Sequence, residues 1–128
     1  WKGFISIKEA GMFTMGAYGN GLFEVKLGGT TILSKSGDTT GGDTQAIWLN
    51  MAGMYAIEVN YSNPTNAAGI TLLWSKAGDG KLSGANVPAN INALNIIPTA
   101  SFFKAAIPAP GAAALLGLGG LVAARRRR

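Results

Sequence analysis

The chain of 128 residues contains neither cysteine nor histidine, and only 13% of its residues are charged. Without cysteine there are no disulfides and no thiolate nucleophiles, and without histidine there are no imidazole bases or histidine metal ligands. Only six acidic residues are present. No two of them are placed by the sequence pattern for paired acid–base catalysis. We therefore expect a protein that is not an enzyme and that carries no cofactor.

Basic residues are also few, and they are concentrated only at the end of the chain. The formal net charge is +5, but four of the eleven basic residues are the last four of the chain: Arg125, Arg126, Arg127 and Arg128. The other seven are lysines scattered singly, and no basic stripe interleaves with aromatic residues. This distribution argues against nucleic acid as a partner.

What the sequence does have is short apolar runs of period two between glycine-rich turns. Ile5 and Ile7 share one face of the first run, and Phe23, Val25 and Leu27 share one face of another. Strict alternation predicts strands with one buried face. Residues 18–21 carry a hairpin signal and residues 28–29 a tight turn.

The same pattern extends to residue 75. Residues 36–43 are small and polar and predict an exposed loop, followed by strands at 44–50, 54–61 and 69–75. Residues 76–96 show no clear pattern, and residues 96–103 could add an edge strand or a terminal turn. Seven short strands at regular spacing predict an all-β fold, an antiparallel β-sandwich or barrel.

Composition changes abruptly at Ala105, where a proline-containing segment leads into an apolar run at 112–124 and then into the arginines. As a helix, about 13 residues span roughly 20 Å, and counting back to Ala105 gives about 20 residues, a marginal fit to a bilayer core of about 30 Å. We expect a C-terminal hydrophobic helix with its arginines on the cytoplasmic side. The alternative is a buried helix with a solvated basic end, which Gly117, Gly119 and Gly120 disfavour.

A proline motif, an apolar stretch and a terminal arginine cluster together resemble the PEP-CTERM protein-sorting signal. The match covers residues 107–128, with Ala109 where that family most often has glutamate. The resemblance implies export, anchoring in the inner membrane, cleavage by an exosortase-type protease, and release to the cell surface or extracellular matrix. The segment corresponding to the sorting motif is Ile107, Pro108, Ala109, Pro110 and Gly111.

The preceding residues resemble PA14 domains in the order and spacing of five segments: 11–15, 25–32, 51–61, 68–75 and 97–103. The resemblance implies two units, a PA14-like β-sandwich at 1–104 and the sorting segment at 105–128. It also implies that the family's opening strands lie upstream of Trp1. Many PA14 domains bind carbohydrate, some through calcium held by two adjacent aspartates. That mechanism is not carried over, because the matching turn, Gly19-Asn20-Gly21, has no aspartate.

Candidate ligand-binding residues remain few. Tyr18, Trp48 and Tyr61 could form an aromatic platform for sugar rings, or belong to the core, and Asn20 lies in the turn that matches the family's sugar site. Asp38 and Asp43 flank a glycine-rich loop and could ligate Ca²⁺, although a solvated loop explains them as well.

The sequence therefore leads to one expectation about function and two alternatives. We expect an exported, non-enzymatic surface or matrix protein associated with extracellular polysaccharide and sorted through its C-terminal signal. The alternatives are a structural subunit of a surface assembly and an accessory domain of a larger secreted glycosidase.

Overall fold

The computed structural model describes residues 1–37, 39–63 and 69–105, which form two antiparallel sheets packed face to face. One sheet has the strand order β4-β3-β6-β1-β9 and the other β5-β2-β7-β8. The strands are β1 (Lys2–Ile7), β2 (Gly11–Asn20), β3 (Leu22–Leu27), β4 (Thr30–Lys35), β5 (Thr40–Leu49), β6 (Gly53–Ser62), β7 (Ile70–Trp74), β8 (Asn95–Ile96) and β9 (Phe102–Phe103). One helical turn, α1 (Ala89–Asn92), precedes β8.

The main core lies between the two sheets and follows from the alternation of apolar residues. Ile5 and Val25 of the five-stranded sheet and Met15 of the four-stranded sheet are fully buried. Their even-numbered neighbours point outward, because successive side chains of a strand alternate between faces. The predicted all-β sandwich is confirmed, and so is the tight turn at Gly28-Gly29, where both residues have positive φ.

A second, smaller core covers the outer face of the four-stranded sheet. Leu73, Ile91 and Leu94 are buried there, so β7 has apolar contacts on both faces. Glycines make room for these side chains. A Cβ at Gly16 would lie 2.7 Å from Leu94 Cδ1, and one at Gly42 would lie 3.0 Å from Ile91 Cδ1. The segment 76–96, which has no clear sequence pattern, is thus an ordered cover for this sheet.

Two local expectations were wrong. Residues 18–21 do not make a hairpin, because β2 and β3 belong to different sheets and the chain turns a corner between them. The predicted loop at 36–43 is shorter than expected, since Thr40 already pairs with Asn20 at the start of β5. Residues 40–43 contain no large apolar side chain. The period-two alternation that predicts a strand is therefore absent from this part of β5.

The C-terminal part of the chain is described as far as residue 105. Phe102 and Phe103 form the edge strand β9 beside β1, as the sequence allowed. The sorting motif at 107–111, the C-terminal hydrophobic helix and Arg125–Arg128 lie outside the described residues. The helical segments within the described residues lack the length and the hydropathy of a membrane span.

Candidate functional site

The outer face of the five-stranded sheet carries charged groups on neighbouring strands. Lys26 of β3, Glu58 of β6 and Lys2 of β1 are cross-strand neighbours in one row. Two residues further along the strands, roughly 7 Å away, Glu24 pairs with Asn60 on one side and with Ser34 on the other. The first row lines one depression of this face, and the second row lines an adjacent depression.

The larger depression, here called the polar cleft, has a volume of about 600 Å³. It lies over β3, β4 and β6. Its apolar lining consists of Leu22, which is 38% exposed, and the buried Phe23. Its polar lining contains Glu24, Ser34, Lys35, Ser36, Asn60, Tyr61 and Ser62.

Several polar groups of the cleft are available to a ligand. Within the described chain, the hydroxyls of Ser34, Ser36 and Ser62 have no hydrogen-bond partner. The Asn60 amide donates a long hydrogen bond of 3.4 Å to Glu24 Oε1, and the Thr31 hydroxyl donates one of 3.3 Å to Glu24 Oε2. Hydroxyl, amide and carboxylate groups on a shallow surface match the alternating donors and acceptors of sugar hydroxyls.

The smaller depression, here called the lysine groove, has a volume of about 320 Å³. Its charged lining consists of Lys2, Lys26, Lys104 and Glu58, and Phe4 and Ala56 also line it. Glu58 lies 3.4 Å from Lys2 Nζ and 3.9 Å from Lys26 Nζ. Lys104 forms no ion pair with any residue that the structure describes. Three lysines therefore face one glutamate in this groove.

Of the four residues expected to bind ligand, the structure brings together Asn20 and Tyr61. The Tyr61 hydroxyl donates a hydrogen bond of 2.5 Å to the backbone carbonyl of Asn20, which also accepts one of 2.9 Å from Asn63 Nδ2. Tyr61 thus ties the end of β6 to the end of β2 across the sandwich. Its ring packs against the main core while it also lines the polar cleft.

Tyr18 and Trp48 share the outer face of the four-stranded sheet but not one platform. Tyr18 packs against the second core, and its hydroxyl lies 3.4 Å from the Asn86 carbonyl. Trp48 is 61% exposed, lies opposite Met12, and donates its indole N–H to Asn50 Oδ1. Tyr18 lies six positions further along β2 than Met12, a distance of about 20 Å.

The two weak calcium candidates are placed differently. Asp38 lies outside the described residues. The carboxylate of Asp43 accepts hydrogen bonds of 3.0 Å from the backbone N–H groups of Ser34 and Thr44. It thereby joins β5 to β4, an arrangement that gives Asp43 a structural role at the side of the sandwich. No cluster of three acidic side chains occurs within the residues 1–37, 39–63 and 69–105.

Apart from Tyr61, the residues of the polar cleft were not predicted from the sequence. Glu24, Asn60 and Ser62 occupy the alternate, outward positions of strands whose inward positions were recognised as core. Polar residues are expected at outward positions of any solvent-exposed strand, so their presence alone does not indicate a site. The signal that could have found them is the concentration of small polar side chains on the outward positions of two strands that turn out to be neighbours.

The arrangement of the two sheets can be compared with known proteins. No family model matches the chain, and no curated protein matches it. Among solved structures, the PA14 domain of the antifreeze protein MpAFP superimposes with a TM-score of 0.62 at 11% identity, over 85% of this chain and 52% of that one. An anti-sigma factor domain-containing protein from Clostridium clariflavum gives a TM-score of 0.61 at 21% identity, over 85% of this chain and 32% of that one.

A second anti-sigma factor domain-containing protein matches with a TM-score of 0.60 at 22% identity, over 81% of this chain and 32% of that one. The chain thus spans about a third to a half of the length of these solved proteins. At such identities the similarity defines the fold. The fold class is a β-sandwich similar to a PA14 domain.

Proposed function

We propose that the protein is an exported, non-enzymatic surface or matrix protein whose β-sandwich contacts extracellular polysaccharide. The observation that carries this proposal is the polar cleft on the outer face of the five-stranded sheet. Free hydroxyls, an amide and a carboxylate surround a partly exposed leucine there, which suits a sugar chain with polar edges and apolar C–H faces.

A PA14-like fold is compatible with this proposal, since the resemblance of the sequence to that family implies carbohydrate association. The shallow shape of the cleft favours binding of an extended polymer over enclosure of a small molecule. No pair of acidic residues faces the cleft, because Glu24 is its only carboxylate among the lining residues. The proposal is therefore one of contact without hydrolysis.

The experiment is affinity measurement by calorimetry against neutral glucose and galactose oligomers. Asn60→Ala combined with Ser62→Ala removes two exposed polar groups from the cleft. At about 0.5–1.5 kcal/mol for each lost hydrogen bond, the double variant should bind about five- to 150-fold more weakly.

The matched control is Gln45→Ala on β5, which removes an exposed amide from the other sheet. It should leave the affinity unchanged. Equal affinities of the wild type and the double variant, or an equal loss in the control, would refute the assignment of binding to the polar cleft.

Export and sorting form the second part of the proposal. The intact mass of the protein recovered from its source cells should lack the segment after about Pro110, as expected for cleavage at the proline motif by an exosortase-type protease. Retention of Arg128 in a soluble fraction would contradict sorting through this tail.

One observation favours the alternative of a structural subunit. Met12, Trp48 and Met51 are 59%, 61% and 71% exposed at the end of the sandwich where β5 forms a sheet edge. Exposed apolar residues beside an edge strand favour association with another chain. A subunit of this kind would self-associate in sedimentation experiments and lose that property in Trp48→Ser, whereas a polysaccharide-contacting domain would show no such dependence.

A further inference from the structure

We propose that the lysine groove binds the carboxylate of a uronic acid, so that the polysaccharide contacted by this face is an anionic one. This inference rests on the proposed function and narrows its ligand class. It starts from a difference between the two depressions. The charged groups of the polar cleft are one carboxylate, of Glu24, and one ammonium group, of Lys35, whereas the groove beside it has three ammonium groups against the single carboxylate of Glu58.

The charges of the groove are only loosely engaged with each other. Lys2 is 82% exposed at its side chain, and its distance of 3.4 Å from Glu58 describes a surface ion pair. Lys26 is shared between Glu24 at 3.7 Å and Glu58 at 3.9 Å. Exposed pairs of this kind contribute little to stability. The lysines can therefore turn towards a ligand carboxylate at small cost.

Lys104 is the strongest single indication. It lines the groove, and it has no acidic partner among the described residues. It directly follows β9, whose pairing with β1 through Phe103 and Phe4 fixes the position of its backbone. A cation held at the rim of a groove with no counter-charge favours an anionic ligand.

The shape of the groove suits a sugar ring that carries this charge. Phe4 provides a partly exposed aromatic surface, and Ala56 and Gly29 add no large side chain. A pyranose ring has apolar C–H faces that pack on such a surface, with its carboxylate directed at the lysines. The row of Lys26 and Glu58 lies about 7 Å from the row of Glu24 and Asn60, so one extended chain can occupy groove and cleft together.

The experiment compares two oligomers of the same length and linkage, an oligoglucuronate and the corresponding neutral glucose oligomer, against the full chain. The oligoglucuronate should bind about tenfold more tightly at low salt, since hydrogen bonds to charged groups are stronger than neutral ones. This advantage should decline as sodium chloride is raised. Lys104→Gln and Lys2→Gln should each remove much of the advantage and leave the affinity for the neutral oligomer unchanged.

Lys8→Gln is the matched control, because Lys8 is exposed and lies outside the groove. It should leave both affinities unchanged. Equal binding of the two oligomers would overturn the inference while the proposed function stands. The inference would also fail if Lys8→Gln weakened binding as much as Lys104→Gln, since net charge alone would then explain the preference. Absence of binding to either oligomer would overturn the proposed function as well.

Discussion

Gly21→Ala is expected to lower the free energy of unfolding by about 3 kcal/mol, which is a large part of the stability of a small domain. Gly21 has a φ of +130°, and a Cβ there would lie 2.5 Å from the backbone carbonyl oxygen of Ser62. Backbone strain contributes about 1–3 kcal/mol and the steric overlap a similar amount. Equilibrium unfolding in urea measures the loss.

Gly11→Ala separates the two contributions. Gly11 has a similar φ of +136°, but no atom lies within 4 Å of the position that its Cβ would take. This variant should show the strain alone and remain about 1–3 kcal/mol more stable than Gly21→Ala. Equal losses in both variants would contradict the close approach of Gly21 and Ser62 at the corner between the sheets.

Ile91→Ala is expected to cost about 2–5 kcal/mol, the usual range for truncation of a fully buried isoleucine. Ile91 is 0% exposed and joins α1 to the four-stranded sheet through the second core. The truncation should favour local unfolding of residues 81–96, which pack on the outer face of this sheet. Amide hydrogen exchange in residues 81–96 should therefore accelerate more than in β1, β3 and β6.

The matched comparison is Ile32→Ala, the same truncation at a partly buried position of β4. It should cost less, and it should leave protection in residues 81–96 unchanged. A loss below about 1 kcal/mol in Ile91→Ala would show that the cover contributes little to the fold.

Gly21 and Ile91 lie in two regions whose tertiary structure the sequence pattern did not predict. The alternation of Ile5, Ile7 and Val25 with polar neighbours predicts strands and their buried faces, since it is a local property of each strand. Which strands become neighbours is not local. The corner at Gly21 resembles a hairpin turn in sequence, because both need a residue that accepts positive φ.

The packing of residues 76–96 on the four-stranded sheet was not predicted for a related reason. Its apolar residues, Ile91 and Leu94, have no strand period, and the surface that receives them consists of Gly16 and Gly42. A glycine in a strand is weak evidence of a close contact when the partner is about 50 to 80 residues away in sequence. Such a contact is visible only when the sheets are assembled.

The residues of the candidate site were likewise predicted only in part from the sequence. Sequence reasoning proposed Trp48 and Tyr61 as aromatic groups for sugar, and the structure separates them, with Trp48 exposed on one sheet and Tyr61 bridging the two. The polar cleft and the lysine groove depend on register, which sets Glu24 beside Asn60 and Lys26 beside Glu58. Strand pairing is what turns scattered polar residues into one surface.

The most direct test of the central claim is to map chemical shifts on the isotope-labelled full chain during titration with the neutral glucose oligomer and the oligoglucuronate. We expect the largest shifts on β3, β4 and β6 at Glu24, Ser34 and Asn60, with Lys2 and Lys104 added for the oligoglucuronate alone. Shifts centred instead on Met12, Trp48 and Met51, or no shifts at all, would contradict the account of this face as the polysaccharide surface.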